Sequence, residues 1–153
     1  MPTVIDVAAY ILDEYGPMTT MKLQKLAYCS QAYCLATNNG EPLFDDDFHA
    51  WMNGPVSPTL YQMHRGKFLI HKGEPSSATA GHSALDARTK AIVDAVCDEL
   101  SGSSGKQLSE RTHGESPWVD AREGYSASER CNNIISKTSI RDYYSTRPVV
   151  SAA

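Results

Sequence analysis

The chain has 153 residues, 41% of them hydrophobic, which is enough for one ordinary domain with a core of its own. A formal net charge of -4 and a pI near 5.7 argue against a global, nonspecific grip on nucleic acid, leaving only a local basic patch to consider. No apolar run is long enough to cross a bilayer, and the opening MPTVIDVAAY lacks a basic n-region and carries Asp6 early, unlike a secretory signal. The four cysteines, Cys29, Cys34, Cys97 and Cys131, form no C-x-x-C pair. They read as reduced, mostly buried thiols of a cytoplasmic protein.

Thr3 with Asp6 three residues on is a capping-box start, followed at helical spacing by Val4, Val7, Ala8, Ile11, Leu12 and Tyr15. Gly16-Pro17 ends that helix. Thr19 caps a second helix, with Met18 and Leu23 as a hydrophobic staple, running to about Thr37. Leu23, Leu26, Ala27, Ser30 and Cys34 form one stripe, and Tyr28, Ala32 and Leu35 carry apolar character around the cylinder. Such a helix is expected at the centre of the fold. Lys22 and Lys25 then read as its solvated edge, with phosphate contact as the alternative.

Leu43 to Tyr61, LFDDDFHAWMNGPVSPTLY, is the organising stretch. Alternation of Phe48, Ala50 and Met52 fits a short strand or an irregular helix. Gly54 accepts a positive φ without steric cost, Pro55 removes a donor, and Trp51 anchors the bend they make. Ser57 before Pro58 is an N-cap and N1 pair for a helix to about His64. Lys67 to His71 is the expected partner strand of the central segment. Gly73 to Gly81 reads as a surface loop. Ser83 with Asp86 is a further capping pair, and Thr89, Ile92, Val93, Val96, Cys97 and Leu100 give the cleanest amphipathic stripe, ended by Gly102. Ser104 with Gln107 starts a helix to about Thr112, stopped by Gly114. Ser116 as cap before Pro117 starts a brief helix ending near Gly124. The last helix spans Lys137 to about Ser145 with Ile140, Tyr143 and Tyr144 facing in. Residues 1–147 form the domain, and 148–153 are expected to fray as a tail. The fold class is therefore mainly α: a compact single-domain helical fold with room for one short β-hairpin.

The candidate chemistry is thin. Asp45, Asp46 and Asp47 are consecutive, so their carboxylates point apart, which suits a solvated acidic loop better than a metal site. His113, near Glu110, Glu115 and Ser116, has the neighbours of a general base. No nucleophile elbow, phosphate-binding glycine pattern or H-E-x-x-H accompanies it. A structural role, bonding free carbonyls near a helix end, is the preferred reading. Trp118 after Pro117 reads as a core anchor rather than a ligand cage. No metal and no cofactor is expected. Gly16-Pro17-Met18-Thr19 between two helices is also the turn of a conceivable helix-turn-helix, with Lys22 and Lys25 on phosphate. Against it stand the acidic total and the apolar girth of the second helix.

Three blocks, MTTMKLQKLAYCSQAY, PLFDDDFHAWMNGPVSPTLY and LSERTHGESPWVDARE, stand in an order and spacing that resemble the Panacea domain, the SocA-like antitoxin family frequent in phage and prophage genomes. The matching positions include Lys22, Lys25, Trp51, Gly54, Pro55, His113, Pro117, Trp118 and Arg122, and Ile140 with Tyr143-Tyr144 fits the closing helix. Arg65 to Gly81 departs from the pattern. The resemblance implies a mostly helical, non-enzymatic protein that binds and neutralises a toxin encoded nearby. It also allows an adaptor that delivers the toxin to a protease. Nucleic acid and membrane are not expected partners, and a second copy of the chain is a further candidate.

Overall fold

The computed structural model describes residues 1–75 and 85–151. Helix α1 (Val4–Tyr15) opens on the expected box: Thr3 accepts from the Asp6 amide and the Asp6 carboxylate accepts from the Thr3 amide. A two-residue strand, β1 (Met18–Thr19), leads into α2 (Thr20–Thr37), capped by Thr19. From Leu23 to Leu35 every α2 side chain except Tyr33 is buried, and α2 packs against α1, α4 (Ala87–Leu100), α5 (Gly105–His113) and α7 (Lys137–Thr146). The core is the sleeve of Val, Leu, Ile and aromatic side chains around this helix.

Strand β2 (Phe48–Trp51) turns through Met52 and Asn53 into β3 (Gly54–Val56), so the bend at Gly54 is itself the second arm of an antiparallel hairpin. Ser57 then caps α3 (Pro58–His64), with Pro58 at N1. The partner expected for β2 is corrected by the pairing. The 67–71 segment supplies β4 (Leu69–Ile70), which pairs with β1, while β2 takes β5 (Ile134–Ile135) on its other side. Two small antiparallel sheets, β1-β4 and β3-β2-β5, therefore flank a mainly helical body. Pro55, which lacks an N–H, sits on an edge strand, where a missing donor is tolerated.

Other expectations shift at helix ends. Asp86, which accepts from the Thr89 amide, is the cap of α4, and Ser83 lies outside the described residues, as does most of the Gly73 to Gly81 loop. Helix α6 (Ser116–Ala121) starts one residue earlier than its sequence suggests and ends short of Gly124. Its N-cap is Glu115, with no side-chain capping bond, because that carboxylate is taken by Tyr144 Oη at 2.7 Å and Arg111 Nε at 3.4 Å. Ser116 becomes N1 and Pro117 N2. The segment after Pro148 packs rather than frays: Val149 and Val150 join the core, and the Ser151 amide donates to Glu99. All four cysteines are free and buried.

Candidate functional site: a hairpin held by its carbonyls

The β2-β3 hairpin gathers nearly every motif residue, and it does so through backbone oxygens. The Ala50 carbonyl accepts from Arg122 Nη1 at 2.8 Å, and the Trp51 carbonyl from Trp118 Nε1 at 2.8 Å. The Met52 carbonyl accepts from His113 Nε2 at 2.9 Å, and the Asn53 carbonyl from Ser109 Oγ at 2.6 Å. The Pro55 carbonyl accepts from Lys25 Nζ at 3.0 Å, and the Ser57 carbonyl from Gln24 Nε2 at 3.1 Å. Read along the hairpin, donors come from α6 or its end, then α5, then α2. Each is set on rigid helix, so the strand turn is positioned by side chains fixed at their own backbones. A buried carbonyl left without a donor costs about 1–3 kcal/mol, so the set specifies one hairpin geometry strongly.

Gly54 sits at the crossing with φ +110, a conformation that glycine alone adopts cheaply. A Cβ there would lie 2.9 Å from Lys25 Cε and 2.9 Å from Thr112 Oγ1. Glycine is thus required both by the turn and by the close approach of α2 and α5. Trp51, half-buried, donates its Nε1 to Asn132 Oδ1 at 2.9 Å and stacks edge-on with Tyr61 at 5.1 Å. Pro117 is buried under α6. Trp118 is stacked between His113 at 4.4 Å and the Arg122 guanidinium at 5.0 Å. Arg122 also donates to the Ser126 carbonyl at 2.8 Å and the Glu129 carbonyl at 2.5 Å, closing the loop after α6.

Two lysines are not a solvated edge. Lys25 is 1% exposed and sits against the hairpin; burial lowers its pKa to about 7. Its helical neighbour Cys29 is pushed up to about 12 by the same desolvation, so it stands there as a thiol. Lys22 Nζ donates to the Ser101 carbonyl at the end of α4, where a cation also meets the negative end of the helix dipole. Neither side chain extends from the surface toward a DNA backbone, and α2 has no exposed face to lay in a DNA groove. His113 donates to a carbonyl, and Glu115 is engaged by Tyr144 and Arg111, so the acid and base of the conceivable dyad are not brought together. Among the described residues no three His, Cys, Asp or Glu side chains cluster as a metal site needs, and no helix is long and apolar enough to cross a membrane. Of the acidic triplet, Asp46 accepts from the Val4 amide and Asp47 pairs with Lys137 at 2.7 Å.

The family model for the SocA-like antitoxin Panacea domain matches residues 23–119. The chain belongs to this family. No curated protein and no solved structure matches it. The Panacea match runs from Leu23, within the first block, to Val119, and so contains the hairpin and all its donors except Arg122. Sequence reasoning missed Gln24 and Ser109 as members of this set. Gln24 does carry a signal: an amide on a helix apolar all round must bond something inside. Here it pairs with both the amide and carbonyl of Ser57.

Beside the hairpin lies a pocket of about 200 Å3, lined by Thr20, Met21, Gln24, Lys25, Trp51 and Tyr61 among others, with His64 on one wall. Gln24 donates to His64 Nε2 at 3.0 Å, its orientation fixed by the two Ser57 bonds. That nitrogen must therefore carry no proton, and burial keeps the His64 pKa below its ordinary value.

Proposed function

We propose that this Panacea domain is a cytoplasmic, prophage-type antitoxin that neutralises a toxin encoded beside it by direct, stoichiometric binding rather than by turnover. Family membership supports an antitoxin role in general. The observation that carries the finer reading is the employment of the motif side chains. Lys25, His113, Trp118 and Arg122 each donate to the hairpin backbone, which builds a fixed surface and leaves no assembled acid, base and nucleophile. Side chains employed in this way support action through a surface rather than through turnover.

Binding by occupancy requires protection to track the ratio of antitoxin to toxin, with a Kd well below the toxin concentration. The test is co-expression with the adjacent gene product at graded ratios, followed by co-purification. Rescue near equal amounts with a recoverable complex is the expected outcome. Rescue at strongly substoichiometric antitoxin, with no complex and with toxin loss that depends on a protease, would overturn blockade in favour of delivery to that protease.

A further inference from the structure

The pocket beside the hairpin has apolar walls and a buried cation. Met21 is 37% exposed at its rim, Trp51 and Tyr61 are half-buried, and Thr20 on its wall donates its amide to the Phe68 carbonyl just before β4. The polar groups Gln24 and His64 are committed to each other and to Ser57. Lys25 is different. It has three N–H groups, and among the described residues only the Pro55 carbonyl accepts from it. No carboxylate of the described residues lies against it; its titratable neighbours are the Cys29 thiol and the His64 imidazole, both held neutral by burial. Burial this deep disfavours the ammonium, and a carboxylate brought into the pocket is the group that would favour it again.

We propose that this pocket is a docking site on the antitoxin for a protein toxin that presents a Glu or Asp side chain flanked by apolar residues, with Lys25 as the counter-ion and Met21, Trp51 and Tyr61 as the apolar seat. The inference rests on the antitoxin reading above and names the chemistry of its partner. A carboxylate arriving here gains a charge-assisted bond in a water-poor site, and its apolar neighbours cover the exposed rim. The folded protein holds the lysine near the point where it loses its proton, so an incoming anion also shifts that proton equilibrium toward the ammonium. The net charge of -4 disfavours a second copy of the chain as the source of that anion.

The test has two arms. In the first, full-length protein labelled at lysine Cε and Nζ is titrated by NMR with acetyl-Leu-Glu-Leu-amide and acetyl-Leu-Gln-Leu-amide. The glutamate peptide is expected to bind at least about tenfold more tightly and to raise the Lys25 midpoint by about one pH unit or more. Lys25→Met, which fills the same volume without charge, and Met21→Glu, an exposed rim change, are each expected to erase the difference. Equal binding of both peptides would overturn the proposal, and so would a preference that survives Lys25→Met. Glutarate alone binding as tightly as the peptide would point instead to a small-carboxylate site. A concentration-dependent dimer lost in Met21→Glu would assign the face to self-association. In the second arm, Lys25→Met is expected to lose rescue of toxin-expressing cells. Full rescue by this variant would reject the pocket while leaving the antitoxin reading intact. If the natural protein rescues nothing, the antitoxin reading fails, and the peptide titration still decides the pocket.

Discussion

The β2-β3 hairpin and the β1-β4 ribbon are both short antiparallel pairs, yet they are held in opposite ways. Six side chains from α2, α5, α6 and the end of α6 bond the carbonyls of the hairpin and the residue after it. The ribbon has its two ladder pairs, the Thr20 to Phe68 backbone bond, and a surface ion pair between Lys67 and Glu74. The hairpin buries Gly54, Pro55 and Val56, whereas the ribbon leaves Phe68 76% and Leu69 52% exposed. A pair fixed by side chains from elsewhere in the sequence tolerates little change. A pair fixed by its own backbone leaves its outward side chains free for another purpose.

The sharpest way to break this contrast is Arg122→Ala. It removes a buried guanidinium from three carbonyls and from the face of Trp118, and unfolding titration should show a loss of about 3–5 kcal/mol. A smaller loss is expected from Gly54→Val, about 2–3 kcal/mol, since the side chain is strained at positive φ and collides with Lys25 and Thr112. An unchanged Tm in either variant would mean the carbonyl bonds do not set the hairpin.

Next comes a pH effect. Lys25 ordinarily titrates near 10.5 and in the fold near 7, so between those values the unfolded chain binds a proton that the folded chain has lost. Stability should therefore rise with pH from about 7. The Cys29 and Cys97 thiols, raised by burial, work in the other direction once the unfolded thiols ionise near 9. The rise should thus be confined to about pH 7–9, amount to about 1–2 kcal/mol, and vanish in Lys25→Met. Denaturation midpoints at pH 7, 8 and 9 for the two proteins check the sign. The smallest effect belongs to the ribbon: Phe68→Ser and Leu69→Thr should each change stability by less than about 0.5 kcal/mol. A loss as large as that of Gly54→Val would show the ribbon to be as tightly specified as the hairpin.

What the sequence made legible was local. Thr3 with Asp6, Thr19, Ser57 with Pro58, and Ser104 with Gln107 all act within three residues, and each forms the bond its spacing announces. The positive φ of Gly54 and the burial of α2 were readable for the same reason. What was not readable depends on distant partners. Glu115 leaves its cap because Tyr144 claims it, and β4 pairs with β1 while β5 takes the edge of β2. Lys25 reads from the sequence as solvated because a lysine on an apolar helix normally snorkels to water; here the hairpin closes over it. His113 reads from the sequence as a partner for free carbonyls at its own helix end; the carbonyl it meets belongs to Met52, 61 residues away.

The order of the donors has a consequence for biosynthesis. Ser109, His113, Trp118 and Arg122 follow their acceptors by 56, 61, 67 and 72 residues. At a translation rate of about 5–20 residues per second, the first arm and turn of the hairpin leave the ribosome roughly 3–14 s before the groups that will hold them. Only Gln24 and Lys25, made earlier, can hold the far end. For that interval the nascent chain carries a half-fixed strand pair with open edges, the kind of segment that pairs with other chains. Slow synthesis between residues 60 and 120 would lengthen this exposure, so the yield of soluble protein should respond more to codon choice there than in the first fifty codons.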